Sequence, residues 1–499
     1  MNLTRVVVAS CTPRTHEPVF QNAIREAGLN RYLFEMANIR DQCSWPHMHE
    51  PDRATEKAKE LVAAAVAKAR LLEPLEEIKL PVTKSALVIG GGPAGMTAAL
   101  ALADQGFPVH LVERKDELGG NLRHLRYLLD DTDPHHLLED MIDRVKSHPL
   151  ISLHMGCELI DAEGFVGNFK SRIAPREDPD EPIEISHGVT IIATGAEEYR
   201  PNEYLYGESE RVMTQREFEE RLASGQMERP KRPVVMIQCV GCRNEERNYC
   251  SRICCSVAIK NALMLTKMYP DLPVYILYKD VRTFGFREEF YREARRRGVI
   301  FLRYDDEHKP SLRDEGDIIR VSYHDMNSGV EGEIEASYII LSAAVVSDGE
   351  AKRLSKIFSV PIDEDGFFME AHVKLKPVEF ATQGVYVCGM AHSPMFLDES
   401  MAQAMAAASR AATVLSKDEL PVEGMVAVVN PLKCVGCLTC VSVCPYQVPK
   451  FNEEKGVVEI EPAECHGCGV CAAACFGKAI TLKKFEDEQL AESIDALLW

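Results

Sequence analysis

Eight cysteines near the C-terminus constrain this chain more than any other feature of its sequence. They form two successive C-x2-C-x2-C-x3-C runs, which are Cys434, Cys437, Cys440 and Cys444, then Cys465, Cys468, Cys471 and Cys475. This spacing is typical of bacterial-type ferredoxins, where two such runs hold two 4Fe-4S clusters and the fourth cysteine of each run ligates the other cluster. We therefore expect Cys444 to complete the second cluster and Cys475 the first. Structural zinc is the alternative, although it commonly needs only four cysteines.

Length, charge and cysteine usage limit the classes of protein that remain. A chain of 499 residues is too long for one ordinary domain. Its formal net charge of -20 argues against a nucleic acid partner, which requires a basic face. The cysteines cluster at metal-ligand spacing rather than as a disulfide framework, which favours a reducing cytoplasm. No apolar stretch approaches the roughly 18 residues of a membrane span.

A glycine-rich segment follows a predicted strand at residues 85–89. The segment has the pattern G-x-G-x-x-G and consists of Gly90, Gly91, Gly92, Pro93, Ala94 and Gly95. The helix predicted from residue 96 to 104 would offer its N-terminus to a pyrophosphate. A second strand at residues 108–112 leads to Glu113 and Arg114, where an acidic side chain can accept the hydroxyls of a ribose. The segment predicts a dinucleotide site, and a glycine turn in an unrelated strand-helix unit is the alternative.

Three later segments resemble the flavoproteins related to thioredoxin reductase, which have two dinucleotide-binding domains. They span residues 119–122, 191–196 and 384–390. The resemblance implies bound FAD, with these further cofactor-binding residues: Gly120, Asn121, Leu122, Thr194, Gly195 and Gly389. It also implies that a helix at residues 399–412 points towards the flavin. Met390 stands where those proteins usually have an aspartate for the ribityl chain, so another group must provide that contact.

The second nucleotide-binding unit has lost its glycine fingerprint and carries cysteines instead. After a strand at residues 233–238 come Cys239, Cys242, Cys250, Cys254 and Cys255. If this segment is helical, Cys250 and Cys254 share one face, and four of the thiolates can surround one cluster. A redox-active disulfide or zinc remains an alternative.

The segments at residues 7–20, 38–45, 238–262 and 384–394, with the tandem cysteine runs, resemble the A subunit of heterodisulfide reductase over nearly the whole chain. The resemblance implies that Cys239, Cys250, Cys254 and Cys255 hold a third, non-standard 4Fe-4S cluster. It leaves Cys242 as a spare thiol. Compared with the longer members, we expect this chain to be shortened at its N-terminus and to lack an inserted ferredoxin module.

The predicted fold class is α/β, a thioredoxin-reductase-like flavoprotein with two dinucleotide-binding domains and a C-terminal α+β ferredoxin domain with two clusters. The predicted domains are 1–80, a partial N-terminal α/β domain and linker helix; 81–232, the first part of the FAD domain; 233–344, the degenerate NAD(P)-like domain with the non-standard cluster; 345–420, the second part of the FAD domain; 421–484, the ferredoxin domain; and 485–499, a C-terminal tail.

The predicted function is that of an FAD- and 4Fe-4S-dependent oxidoreductase subunit. It would relay or bifurcate electrons between a donor protein and thiol-disulfide or ferredoxin acceptors. We expect other redox subunits as partners, a donor such as a hydrogenase, formate dehydrogenase or ferredoxin, and a homodimer within a larger complex. No catalytic residue is identified. The alternatives are an NAD(P)H:ferredoxin oxidoreductase and a non-catalytic scaffold that connects redox partners.

Overall fold

The computed structural model describes residues 3–76, 78–130, 132–422 and 424–498. Its α-helices are α1 (Pro13–Glu26), α2 (Pro51–Arg70), α3 (Pro93–Ala103), α4 (His135–Ser147), α5 (Gln215–Ala223), α6 (Cys254–Met268), α7 (Glu288–Arg296), α8 (Ala351–Phe358), α9 (Leu397–Leu415), α10 (Thr439–Val443), α11 (Val470–Ala473) and α12 (Asp487–Leu498). None of the helices in these ranges combines the length and apolar character needed to cross a bilayer.

The strands of the first half are β1 (Val6–Ser10), β2 (Phe34–Asn38), β3 (Ile78–Pro81), β4 (Ala86–Ile89), β5 (Val109–Glu113), β6 (Ile151–Met155), β7 (Cys157–Phe165), β8 (Asn168–Pro175), β9 (Ile183–His187), β10 (Val189–Ile192), β11 (Ala196–Glu198), β12 (Val212–Thr214) and β13 (Val234–Val240). Those of the second half are β14 (Val274–Tyr278), β15 (Ile300–Arg303), β16 (Ser311–Asp314), β17 (Ile319–Asp325), β18 (Val330–Ala336), β19 (Tyr338–Ala343), β20 (Val345–Ser347), β21 (Val385–Val387), β22 (Glu419–Val422), β23 (Ala427–Val429), β24 (Pro449–Asn452), β25 (Val457–Ile460) and β26 (Ile480–Leu482).

The chain divides into two compact units. One consists of residues 82–418, and the other combines residues 1–81 with residues 419–499. We call them the central unit and the terminal unit.

The first sheet of the central unit has the parallel order β21-β10-β4-β5-β6. Strand β4 is buried along its whole length, as expected for a parallel sheet that is covered on both faces. Helices α3 and α9 share one apolar core with this sheet, and alanines from both helices lie fully buried in it. The strand, glycine segment and helix predicted here from the sequence are all present.

A second parallel sheet has the order β12-β19-β13-β14-β15. Its central strand, β13, is buried at every residue, and helix α6 packs into the same core. The strand extends past the predicted end at residue 238, so that Cys239 belongs to β13.

A buried polar network connects the segment between β5 and α4 with helices of the second sheet. The ammonium of Lys260 on α6 donates to the backbone oxygen of Tyr127 at 2.9 Å and to the carboxylate of Glu219 at 2.7 Å. The hydroxyl of Tyr127 donates to Asn261 at 2.8 Å, and Asn261 donates to Gln215 at 2.8 Å. Each of these polar groups has a partner, which is the condition for such a network to stabilise a core.

The terminal unit joins the two ends of the sequence. Strand β3 pairs antiparallel with β22, and Ser493 on α12 donates to the backbone oxygen of Ala64 on α2 at 3.3 Å. A strand therefore lies at the end of the predicted N-terminal domain, where only a linker helix was expected, and the predicted tail is helix α12. Both depend on partners far away in the sequence, which local patterns do not reveal. In the sequence, the first C-terminal cysteine run lies between β23 and β24, and the second lies between β25 and β26. Strand β23 pairs antiparallel with β26, and β24 pairs antiparallel with β25.

Candidate functional site

The predicted dinucleotide cradle lies at the turn between β4 and α3. Gly90 has a φ of 112°, and a Cβ atom at Gly95 would lie 1.8 Å from the backbone oxygen of Gly90. Only glycine fits these two positions, which allows the strand to turn directly into the helix. A Cβ at Gly92, in contrast, would meet nothing within 4 Å. Open space therefore faces the N-terminus of α3, where a pyrophosphate would bind.

Glu113 ends strand β5 beside this turn. Its carboxylate accepts hydrogen bonds from the backbone N–H groups of Gly91 at 2.6 Å and Lys115 at 2.9 Å. The side chain is buried and held in one position, as a ribose acceptor requires.

A cleft opens at this edge of the sheet, and Gly90, Glu113 and Thr194 line it. The hydroxyl of Thr194 is buried and has no hydrogen-bond partner among the described residues. Arg114 also lines the cleft and pairs with Asp348 at 2.9 Å. Sequence reasoning missed Asp348, because it lies more than two hundred residues away and belongs to no motif.

The other predicted flavin residues surround the same turn. The side chain of Asn121 donates to the backbone oxygen of Ala196 at 2.8 Å, and a Cβ at Gly120 would lie 3.2 Å from the Cα of Gly92. Leu122 is buried in the core next to α3. Gly195 has a φ of 80° and directly follows Thr194.

Gly389 closes the cradle from the other side, because a Cβ there would lie 2.7 Å from the Cβ of Ala94. Its backbone N–H donates to the side chain of Gln403 at 2.9 Å. Gln403 in turn contacts Nδ1 of His392 at 2.9 Å, and Nε2 of His392 contacts Glu370 at 2.8 Å. Helix α9 thus holds residues 384–390, which we call the flavin segment, through the side chain of Gln403. No sequence motif indicated this side chain.

The second cysteine group lies where β13 ends and α6 begins. Helix α6 starts at Cys254, so the expectation that Cys250 shares a helical face with it is wrong. Cys250 lies in the loop before the helix. From the end of β13 to the start of α6, the backbone has left-handed φ values at three residues that are not glycine: 61° at Cys239, 55° at Arg243 and 54° at Arg252. Such conformations are costly and concentrate at functional sites.

Four thiols of this group stand close together. Cys239 and Cys242 form a hydrogen-bonded pair, as do Cys254 and Cys255. The bond within the first pair raises the pKa of Cys239 and lowers that of Cys242. In the second pair the same effect raises the pKa of Cys254 and lowers that of Cys255 to about 7. All four side chains are buried, and cysteines bind a metal as thiolates.

Cys250, unlike these four, is only partly buried. Its sulfur accepts the backbone N–H of Arg252 at 3.4 Å. Cys242, the predicted spare thiol, is buried against Cys239 and Ala344. The ligand set of the third cluster stays a prediction.

In the terminal unit, a cavity is lined by Cys444, Cys465, Cys468 and Cys471. These are the four cysteines that the crossed ferredoxin pattern assigns to one cluster. Backbone N–H groups donate to sulfurs of both runs, from Ala427 to Cys465 at 3.4 Å and from Val458 to Cys434 at 3.5 Å. Cys437 and Cys468 are exposed.

Within the described part of the chain, no three or more His, Cys, Asp or Glu side chains are arranged to hold a single metal ion. A 4Fe-4S cluster makes a different demand, because each thiolate binds its own iron and the sulfurs need not converge on one point. The cavity and the N–H donors around these cysteines fit such a cluster. The glycine turn, Glu113 and the unpartnered Thr194 hydroxyl likewise fit an adenine dinucleotide.

The fold and the two kinds of site define an iron-sulfur flavoprotein oxidoreductase. Residues 88–139 match the family model of an NAD(P)-binding Rossmann-like domain, and residues 427–476 match that of a 4Fe-4S dicluster domain. The predicted fold class is confirmed by this architecture.

Curated relatives identify the family. An iron-sulfur A subunit of the CoB–CoM heterodisulfide reductase of Methanopyrus kandleri is 36% identical over 603 positions, which cover 100% of this chain and 89% of that protein. The A subunit of the H2:CoB-CoM heterodisulfide,ferredoxin reductase of Methanothermobacter thermautotrophicus is 36% identical, with 100% and 89% covered. The chain belongs to the family of heterodisulfide reductase A subunits. Both alignments are longer than the chain itself, so these relatives carry internal segments that it lacks.

Among solved structures, the thioredoxin reductase of T. acidophilum is similar over 66% of this chain and 97% of its own length, with 17% identity and a TM-score of 0.46. At this TM-score the likeness supports no further conclusion about fold or function.

Proposed function

We propose that this chain is the FAD- and 4Fe-4S-dependent electron-transfer component of a heterodisulfide-reductase-like complex. The observation that carries the proposal is that one chain contains both a dinucleotide cradle, at Gly90 to Gly95, and two ferredoxin-type cysteine runs. Bound FAD would supply two-electron chemistry, and the clusters would supply transfer of single electrons. The family membership supports the same function.

In this proposal the protein's own residues bind and orient the cofactors. The open N-terminus of α3 receives the pyrophosphate, Glu113 accepts the ribose hydroxyls, and the Thr194 hydroxyl donates to the bound dinucleotide. Gln403 fixes the Gly389 backbone beside the ring. Backbone N–H donors to the cysteine sulfurs tune the clusters, because hydrogen bonds to the sulfurs shift their reduction potentials.

We further propose three clusters. Cys434, Cys437, Cys440 and Cys475 hold the first, and Cys444 joins Cys465, Cys468 and Cys471 in the second, which the shared cavity supports. Cys239, Cys254 and Cys255 hold the third, with Cys250 as the fourth ligand that the family resemblance implies.

The partners in this proposal are other redox subunits in the cytoplasm. The electron donor in this proposal is a hydrogenase, formate dehydrogenase or ferredoxin, and the names of two relatives, which contain H2 and ferredoxin, support the first and the last of these. The acceptor would be a heterodisulfide or other thiol-disulfide couple on a partner, and the chain would be a homodimer within the complex. Affinity purification from the native cell, followed by identification of the bound proteins, tests this assignment.

The decisive experiment measures iron, sulfide and flavin together in protein prepared without oxygen. We expect about twelve irons and one FAD per chain, from three four-iron clusters. A measured content of about eight irons per chain would rule out the third cluster, and zinc in place of iron would refute the electron-transfer function. Bleaching of the flavin by NADH in the isolated chain would instead favour an NAD(P)H:ferredoxin oxidoreductase.

A further inference from the structure

The loop that carries Cys250 also contacts the beginning of helix α9. Arg252 lies between Cys250 and Cys254, and its guanidinium donates to the backbone oxygen of Pro394 at 3.2 Å and to the carboxylate of Glu399 at 2.9 Å. The guanidinium also lies 5.2 Å from the centre of the Phe284 ring. A forked, planar cation can make these contacts at once, which a lysine cannot.

The backbone of Arg252 faces the cysteines. Its N–H donates to the sulfur of Cys250, and its φ of 54° places it in the left-handed region. For a residue other than glycine this conformation is strained. The backbone of Arg252 thus contacts Cys250, while its side chain contacts Pro394 and Glu399.

Helix α9 passes this contact on to the flavin segment. Glu399 binds Arg252 with one oxygen, and its other oxygen accepts the N–H of Phe396, directly before the helix, at 3.0 Å. Gln403 follows four residues later on the same helical face and binds the N–H of Gly389. One face of α9 therefore holds the cysteine loop at its first turn and the flavin segment at its second.

We propose that Arg252 is a positioning residue that fixes the third cluster at a set separation from the flavin, through Glu399 and helix α9. The inference rests on the proposed function, because it needs both cofactors. The two charged side chains are 38% and 29% exposed, and partly exposed pairs contribute little stability. In this proposal the contact between Arg252 and Glu399 fixes a distance and adds little stability. The distance matters because the rate of electron transfer between fixed centres falls steeply with their separation.

The test compares Arg252→Gln, Glu399→Gln and the double variant in the complete chain loaded with FAD and clusters. Glutamine at position 399 keeps the helix cap but loses the charged bond to Arg252. Illumination in the presence of EDTA reduces the bound flavin, and one electron then passes to the oxidised third cluster. Rapid-freeze EPR follows the signal of the reduced cluster. The signal is assigned to the third cluster by its absence in a Cys254→Ser variant. We expect each single variant to slow this step about tenfold and the double variant to be no slower than the worse single one.

Arg287→Gln is the matched control. Arg287 binds Asp398 in the same turn of α9 at 2.9 Å but comes from the turn at Gly285–Arg287, outside the cysteine loop. We expect wild-type transfer in this variant and partial rescue in Arg252→Lys. A shifted midpoint potential of the third cluster in Arg252→Gln and Glu399→Gln would give independent support.

The outcomes separate the two claims. Wild-type protein that lacks FAD or the third cluster overturns the proposed function and this inference together. Loaded wild-type protein with unchanged rates in Arg252→Gln and Glu399→Gln, or with additive effects, overturns the inference alone. If Arg252→Gln fails to assemble its cluster, Glu399→Gln, which leaves the loop sequence intact, decides.

Discussion

At the scale of single residues, two glycines of the same turn differ in what they would tolerate. Gly92 faces open space and has a φ of −74°, so Gly92→Ala should leave the fold intact. The added methyl group would occupy the place of the pyrophosphate. We expect FAD affinity to fall about tenfold or more, measured as flavin retained after gel filtration, while the iron content is unchanged.

Gly95→Ala serves as the contrast, because its Cβ would collide with the backbone oxygen of Gly90. This variant should lose thermal stability as well as flavin. Full FAD binding by Gly92→Ala would show that the dinucleotide does not lie at the start of α3.

The raised pKa of Glu198 predicts that the stability of the protein depends on pH. Burial raises its pKa from 4.5 to about 7, although the hydrogen bond from Thr214 acts in the opposite direction. The folded state therefore holds a proton that the unfolded state has lost between these values. The stability from this group is complete below about pH 4.5 and is lost as the pH rises through about 7, by on the order of 2 to 3 kcal/mol.

Glu198→Gln removes this titration. We expect the variant to be more stable than the wild type at pH 8, and the difference to shrink as the pH falls towards 5, in denaturant titrations of the loaded protein. A difference that does not change with pH would contradict the shifted pKa.

At the scale of elements, helices α5 and α6 are joined by a buried ion pair. Lys260 and Glu219 are 7% and 2% exposed and lie 2.7 Å apart. Lys260→Met leaves the Glu219 carboxylate buried without its cation, which should cost about 3 to 5 kcal/mol of unfolding free energy. Urea unfolding of the loaded protein measures this loss.

The exposed pair of Lys59 and Glu56 on α2, also at 2.7 Å, provides the control. Lys59→Met should change the unfolding free energy by less than about 1 kcal/mol, because water screens exposed charges. If Lys260→Met lost as little unfolding free energy as this control, the network around Lys260 would not stabilise the central unit.

Elements whose signals are local could be predicted from the sequence, and those that depend on distant partners could not. The turn from β4 into α3, with Gly90 and Gly95, follows from a short motif with a clear physical cause. Helix α9 was expected at residues 399–412 and spans Leu397–Leu415. Strand β3 escaped prediction because its partner, β22, lies more than three hundred residues away. Arg252 and Gln403 escaped because their partners lie on other elements.

At the scale of the whole molecule, the central unit is continuous in sequence from residue 82 to residue 418. It contains both parallel sheets, the dinucleotide cradle and the second cysteine group. We expect a fragment of these residues to fold alone and to carry one FAD and about four irons. Absorbance, iron assay and circular dichroism check this expectation.

The comparison is the complete chain with Cys434→Ser and Cys465→Ser, which should keep its FAD and the third cluster. A fragment that folds and binds flavin but holds no iron would assign the second cysteine group to another role. An unfolded fragment would show that the central unit depends on the terminal one.

The joining of both chain ends in the terminal unit has a consequence for biosynthesis. The ribosome releases residues 1–81 first, yet their partners in β22, Lys484 and α12 come last. The central unit can mature while translation continues, since domains generally fold as they emerge. The strands within residues 1–81 must wait until these partners have been synthesised. We therefore expect flavin to be acquired early in the life of the nascent polypeptide, and the ferredoxin-type cubes later.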